Sequence, residues 1–228
     1  MTGVPDNVTI TLVLPCLNEA GAIPWVLSRI PHGVTAIVAD NGSTDDSAAV
    51  ARKLGATVIQ VPQPGYGAAC HAGIEAASTD VVAVMDCDAT LDPAQLRPLI
   101  TAVESGAVDL AVCRRRPTSN KVWPWHARMG TGFLAWWLRR NTGLVIHDLA
   151  PVRVFHRTPY LALGINDRGF GYPMEVFARA AEAGWSVREF DMDYGARVGQ
   201  SKVTGTLAGS ARATKALLRS APRWRRMR

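Results

Sequence analysis

Asp86-Cys87-Asp88 is the part of this chain with the clearest chemical content. It follows directly on the apolar run Val81-Val82-Ala83-Val84-Met85. Two carboxylates at the end of a buried strand are costly unless positive charge meets them. The usual partner is a hard divalent cation, which takes oxygen ligands and often carries a phosphate with it. A metal-bridged pyrophosphate, and hence a nucleotide-linked substrate, is the first expectation.

The elements around this pair give it a setting. Val8–Leu14, Val34–Ala39, Ala56–Val61, Asp80–Met85 and Val108–Cys113 read as apolar strands. Helical patterns separate them at Gly21–Ile30, Asp45–Leu54, Gly67–Ala77 and Pro93–Ser105, with Ser43 or Thr44 as N-cap of the second and proline in the first turn of the last. Apolar strands alternating with helices predict a mostly parallel α/β sheet covered on both faces. Ligands bind such sheets outside the carboxyl ends of the strands. Those ends carry Pro15-Cys16-Leu17-Asn18-Glu19, Asp40-Asn41-Gly42-Ser43-Thr44-Asp45, Gly65-Tyr66-Gly67 and Asp86-Cys87-Asp88, so the polar groups converge on one rim.

The second half is less regular. Trp123–Arg140 is rich in aromatic and basic residues, and its helical part is expected to pack on the sheet. Val152–Phe155 and Ser186–Phe190 read as strands, Pro173–Ala183 as a helix, Gly195–Val203 as a polar loop, and Thr206–Leu218 as a helix entering a basic tail. One domain over residues 1–205 is expected, with a rim-bearing half at 8–115, an elaborated second half at 116–205, and then an amphipathic basic segment at 206–228.

Single motifs leave alternatives open. Asp40 suits hydrogen bonds from a base or ribose, and equally a turn acid. Glu19 fits a ligand contact or the start of the next helix. Gly65-Tyr66-Gly67-Ala68-Ala69 resembles a phosphate cradle but lacks the Lys-Ser/Thr of a P-loop, so a tight helix entry competes with ligand contact. Arg197-Val198-Gly199-Gln200-Ser201-Lys202 suits a phosphate that enters and leaves, or a solvated loop.

The 228 residues suffice for one well-buried domain, and 25 basic against 19 acidic residues give a net charge of +6. The excess gathers in the last segment, which has no acid after Asp193. No run of about 20 apolar residues spans a bilayer, and no signal peptide is evident. Cys16, Cys70, Cys87 and Cys113 show no Cys-x-x-Cys spacing, and reduced thiols in a cytoplasmic protein are expected.

Taken in order, Pro15-x-x-Asn18-Glu19, Asp40 to Asp45, Gly65-x-Gly67-x-Ala69, Asp86-Cys87-Asp88 and Arg197-x-Gly-x-Ser-Lys202 make the chain resemble family-2 glycosyltransferases over about residues 8–215. The branch it is most similar to contains the dolichyl- or polyprenyl-phosphate hexosyltransferases. His147 to Arg153 looks like that branch's acceptor-side segment, and Gly171 to Glu175 like its Glu-bearing helix. The resemblance implies a GT-A fold, a GDP- or UDP-hexose donor, Mg²⁺ or Mn²⁺, and an inverting single displacement. It implies that Pro15, Leu17, Glu19, Asp40, Gly67 and Cys87 belong to the nucleotide-sugar site. Asp86 would contact ribose or metal, Asp88 would ligate the metal, and Arg114 would face donor phosphates or sugar. Arg128, Arg197, Ser201 and Lys202 would bind phosphate groups, and Glu175 would lie near the acceptor or sugar hydroxyls. Leu17 stands where relatives often carry an aromatic residue, and Asn41 is a common replacement for a second Asp.

A hydroxyl acceptor needs a general base within about 3 Å, whereas a lipid phosphate is already ionised and needs cations instead. The abundance of cations favours a polyprenyl phosphate, with Glu175 as the base if the acceptor is a hydroxyl. The basic tail suits the anionic cytoplasmic face of a membrane, at about 1 kcal/mol per basic residue. A nucleotidyltransferase would want an early Gly-rich, Lys-containing signature where this chain has Asn18-Glu19. A nucleic-acid-binding module is disfavoured because the acidic rim repels phosphates without a metal.

Overall fold

The computed structural model describes residues 10–119 and 121–198. Strand β1 spans Ile10–Cys16, α1 Ile23–Ser28, β2 Val34–Asp40, α2 Ser47–Lys53, β3 Thr57–Gln60, α3 Tyr66–Ala76 and β4 Val81–Met85. A 3-10 turn at Pro93–Leu96 leads into α4 at Arg97–Glu104, followed by β5 at Leu110–Pro117 and α5 at Trp125–Thr142. Then come β6 at Val152–His156, α6 at Arg157–Ala162, α7 at Tyr172–Glu182 and β7 at Val187–Tyr194. The expected helix from Thr206, the basic tail, Ser201 and Lys202 lie outside the described residues.

The strands form one sheet in the order β3-β2-β1-β4-β6-β5-β7. The mostly parallel α/β sheet expected from the sequence is present, with β6 alone reversed against β4 and β5. The reversal follows from where the chain comes back. β5 ends on the rim at Pro117, and Asp148 is bonded to Arg115 on that same rim. The chain therefore re-enters the sheet from the rim and runs down it. This brings residues 147–151, which precede β6, to the place where other strands bring the residues that follow them.

Side chains of each strand alternate between two cores. Leu12, Leu14, Ala83, Met85, Val152 and Val154 face one layer, shared with α1 and α4. Val13, Val82, Val84, Val112 and Phe155 face the other, shared with α3, α5 and α7. Arg153 lies between Val152 and Val154 and so takes a position of the second layer, fully buried.

Two local features differ from the sequence reading. Helix α2 begins at Ser47, whose N–H donates to the Asp45 carboxylate at 3.0 Å, because Ser43 and Thr44 are engaged with Asn18 instead. The Pro93–Ser105 helix is divided into a 3-10 turn and α4, with the Asp92 side chain accepting from Ala94 N–H at 2.9 Å. Helix α5, expected on the sheet, contributes Leu134 and Leu138 to the second core and also lies against α7.

Helix α3 approaches β1 at Gly73. A Cβ there would lie 2.2 Å from Val13 Cγ1, too close for any real contact. Gly73→Ala should destabilise the fold by about 1–3 kcal/mol through overpacking. Val13→Ala in the same chain should recover part of the loss, and urea unfolding of the single and double variants checks both.

Candidate active site

The loop after β1 is built by exchange with the loop after β2. Asn18 has φ 52°, a left-handed conformation that Asn tolerates. Its N–H donates to Ser43 Oγ at 2.9 Å and its side-chain oxygen accepts from Thr44 N–H at 2.7 Å. Glu19 is anchored by its N–H to Ser47 Oγ at 2.8 Å. Asp40 is buried and accepts from Ser43 N–H at 3.1 Å and Gln60 Nε2 at 3.0 Å. Its carboxylate thus holds the turn while remaining at the strand end. Asn41 is more than a tolerated replacement for Asp. Its amide donates to Val61 O at 3.0 Å and Gln63 O at 2.7 Å and accepts from Gly65 N–H at 2.8 Å. A carboxylate could not make the two donations. Pro15 and Leu17 sit at the mouth of this loop, and Leu17 is exposed.

Asp86 is met by positive charge from below. Tyr66 Oη donates to Asp86 Oδ1 at 3.0 Å, and Arg153 Nη2 donates to Tyr66 Oη at 2.8 Å. The Arg153 guanidinium is stacked between the rings of Tyr66 and Tyr172, at 5.9 and 5.8 Å from their centroids. Its Nε and Nη1 find no hydrogen-bond partner among the described residues. Burial and the neighbouring Asp88 push the Asp86 carboxyl up to about 6, against the opposing pull of Tyr66, Arg153 and Arg115. Cys87, between the two acids, is buried in the same core cluster as Cys16.

Asp88 is held by Thr90, whose N–H and Oγ1 donate to Oδ1 at 3.1 and 2.6 Å. The turn is enforced by Ala89 at φ 61°, an uncommon conformation for alanine that carries strain. Arg197 reaches across it, with Nη2 2.6 Å from Glu19 Oε1 and Nη1 3.4 Å from Asp88 Oδ2. Its loop is fastened by Val198 N–H to Asp88 O at 3.2 Å and Gly195 N–H to Thr90 O at 2.8 Å. The first and last motifs of the chain are therefore bound together by one guanidinium.

Beside this acidic rim lies a cationic cleft of about 200 Å³, lined among others by Arg114, Arg115, Arg116, Arg128, His147 and Asp148. Arg115 forms a bidentate pair with the buried Asp148 at 2.8 and 2.6 Å and stacks on Trp123 at 4.0 Å. Glu189 accepts from His147 N–H at 2.6 Å and Asp148 N–H at 3.0 Å. Arg114 and Arg128 make no ion pair among the described residues, so the cleft keeps positive charge unspent.

Gly67 and Glu175 meet elsewhere, around the 165–169 loop. A Cβ on Gly67 would lie 2.8 Å from both Asp167 O and the Tyr172 side chain, and one on Gly65 (φ 138°) 2.1 Å from Arg168 O. The glycines thus serve a tight helix entry. Glu175 Oε2 accepts from Asn166 N–H at 3.1 Å and Asp167 N–H at 2.6 Å, while Oε1 lies 3.6 Å from Arg179 Nε. The loop in turn accepts Gly67 N–H and Ala68 N–H on Gly169 O and Arg168 O. Arg153, Tyr66 and Arg115 carry functional geometry that sequence reasoning missed. The one signal available was an arginine in an otherwise apolar strand.

The family model for Glycosyl transferase family 2 matches residues 11–165. An uncharacterized glycosyltransferase of Mycobacterium tuberculosis is 51% identical over 202 residues, covering 88% of this chain and 92% of that one. A polyprenol monophosphomannose synthase of Mycolicibacterium smegmatis is 28% identical over 215 residues, covering 86% and 81%. Among solved structures, glucosyl-3-phosphoglycerate synthase of Mycobacterium tuberculosis in complex with Mn²⁺, UDP and glucosyl-3-phosphoglycerate superposes with a TM-score of 0.73 at 23% identity, covering 96% of this chain and 80% of that one. The fold is the GT-A fold of these enzymes.

Removing the Glu175 carboxylate leaves the half-buried N–H groups of Asn166 and Asp167 without their charged acceptor. Glu175→Ala should cost about 1–3 kcal/mol and loosen the 165–169 loop, and Glu175→Gln should retain part of the stability. Thermal melts and hydrogen exchange at the amides of residues 166–168 check this.

Proposed function

The chain belongs to glycosyl transferase family 2, and from that premise we propose that it transfers a hexose from a nucleoside-diphosphate sugar, GDP- or UDP-linked, to a polyprenyl phosphate. The observation that carries the reading is an acidic donor rim standing directly beside a cationic cleft. The carboxylate lining that cleft, Asp148, is consumed by Arg115. Glu175, the candidate base for a hydroxyl acceptor, is engaged with two backbone N–H groups. A phosphate acceptor needs neither, because it is ionised at neutral pH.

In this mechanism Pro15, Leu17, Glu19 and Asp40 flank the base and ribose. The acceptor phosphate is drawn into the cleft by Arg114, Arg116 and Arg128. One of its oxygens attacks the anomeric carbon opposite the leaving diphosphate. The new carbon–oxygen bond forms as the bond to the diphosphate breaks, inverting the configuration. Asp86 and Asp88 suit Mg²⁺ or Mn²⁺, which take one or two carboxylates and complete their shell with substrate phosphates and water. Among the described residues no group of three His, Cys, Asp or Glu encloses a metal without a substrate, in keeping with that mode. The pull of the site on cations is visible in Arg197, which bridges Glu19 and Asp88. When bound, the metal neutralises charge growing on the leaving diphosphate. Arg197 is suited to exchange its carboxylate partners for a phosphate of the arriving donor. Gly67 and Cys87 support the donor site from within the fold, and phosphate binding is the role assigned to Ser201 and Lys202. No helix among the described residues is long and apolar enough to cross a membrane. We take the enzyme to work peripherally on the cytoplasmic membrane face, held in part by its basic tail.

A second reading, transfer to a hydroxyl of a small phosphorylated acceptor, is favoured by the size of the cleft and by the likeness to glucosyl-3-phosphoglycerate synthase. Incubation with labelled GDP-mannose or UDP-glucose, polyprenyl phosphate and Mn²⁺ separates the two. Label should enter the organic phase and be lost with EDTA or Asp88→Ala. Label retained in water on phosphoglycerate would overturn the lipid acceptor.

The pH dependence of donor binding follows from Asp86. Its carboxyl is pushed up to about 6, so it is protonated below that pH and a poor metal ligand there. Mn²⁺–nucleotide affinity should therefore fall as the pH drops through about 6. Arg153 helps keep Asp86 ionised, so Arg153→Met should move the midpoint to higher pH. Calorimetric titration of Mn²⁺ with UDP or GDP between about pH 5 and 8 measures both.

A further inference from the structure

Helix α5 is covered on one side only. Leu134, Ala135 and Leu138 are buried, while Trp125 is 72% exposed, Met129 65%, Phe133 47% and Trp136 51%. Positions 125, 129, 133 and 136 follow helical spacing, so these side chains form one continuous stripe about 17 Å long. Phe133 and Trp136 have ring centroids 5.8 Å apart. Isolated exposed apolar residues need no explanation, but a contiguous aromatic stripe marks an interaction surface.

The charge around the stripe identifies what covers it. Arg128 and Arg140 share this face, and from Leu110 to His147 the sequence has no Asp or Glu. A second copy would bring two cationic stripes together. The chain's own residues from 199 onward are also basic and contain no acid. The complementary partner is anionic, with an apolar interior below its charge. Tryptophan side chains settle at such an interface, with basic residues among the headgroups.

We propose that the exposed face of α5 is the membrane-docking surface of this enzyme, with the helix lying in the plane of an anionic lipid leaflet. The inference rests on the polyprenyl-phosphate reading for its choice of a bilayer, and it gives that reading a geometry. Arg128, Thr131 and Gly132 of the same helix line the cationic cleft. Docking along α5 therefore sets the mouth of the cleft at the headgroup level, where a lipid-linked phosphate enters without leaving its membrane.

The test is flotation of the full chain with phosphatidylcholine vesicles with or without about 30% phosphatidylglycerol. The variant carries Trp125→Ser, Phe133→Ser and Trp136→Ser. The wild type should float with the anionic vesicles, and the variant should partition about tenfold less. Its melting temperature and its Mn²⁺–nucleotide binding should be unchanged, because these side chains are solvent-facing and outside the cleft. Flotation of the variant equal to the wild type would overturn the proposal. So would a wild-type dimer that the variant converts to monomer with flotation unchanged, which assigns the stripe to a second copy. Vesicle binding lost in the variant while the wild type fails to label any lipid phosphate would uphold the docking surface and remove the acceptor reading alone.

Discussion

Negative charge held at the ends of buried strands is the constraint that the rest of this structure answers. Asp40, Asp86 and Asp88 sit where the sheet delivers them, with Glu19 facing the same rim, and a low-dielectric core lies beneath. Carboxylates so placed require nearby cations or fixed donors. The protein supplies both. Arg153 acts on Asp86 from inside the sheet through Tyr66, and Arg197 acts on Glu19 and Asp88 from outside. A buried arginine with two nitrogens unsatisfied among the described residues is an expensive element, and removing one partner of such a cluster leaves the other charge stranded.

The reversed strand fixes the cationic side of the rim in place. A wholly parallel sheet would bring only the segments that follow its strands to the rim. Strand β6 runs the other way, so Asp148 and His147, which precede it, arrive beside Arg114–Arg116 at the end of β5. The Arg115–Asp148 pair locks this junction and is itself covered by Trp123. The acidic rim and the cationic cleft thus stand side by side with separate countercharges. The strand that contributes Arg153 to the interior thus also organises the cationic cleft.

Much of the architecture was legible because its causes are local. Runs such as Val81–Met85 and the proline and glycine boundaries around them are short-range signals, and their elements appear where the spacing puts them. The rim was legible too, since a parallel α/β sheet allows one end for ligands. Glu175 and Gly67 show where such reading stops. Their types suit chemistry, but one is taken up by the amides of Asn166 and Asp167, and the other by the approach of Asp167 and Tyr172. Those partners are distant in sequence or lie on another element, so no local pattern announces them.

By itself, the sequence determined an α/β sheet with a polar rim, an acidic pair at the end of its fourth strand, and enough cations for phosphate chemistry, because periodicity and residue type are properties of short segments. Only the tertiary structure decided that β6 lies between β4 and β5, that Arg153 is the buried countercharge of Asp86, that Arg197 bridges Glu19 and Asp88, and that one side of α5 is left uncovered. Each of these depends on which distant segments are neighbours in space. Electrostatic energy and burial are set by separation in space, which a linear chain does not carry.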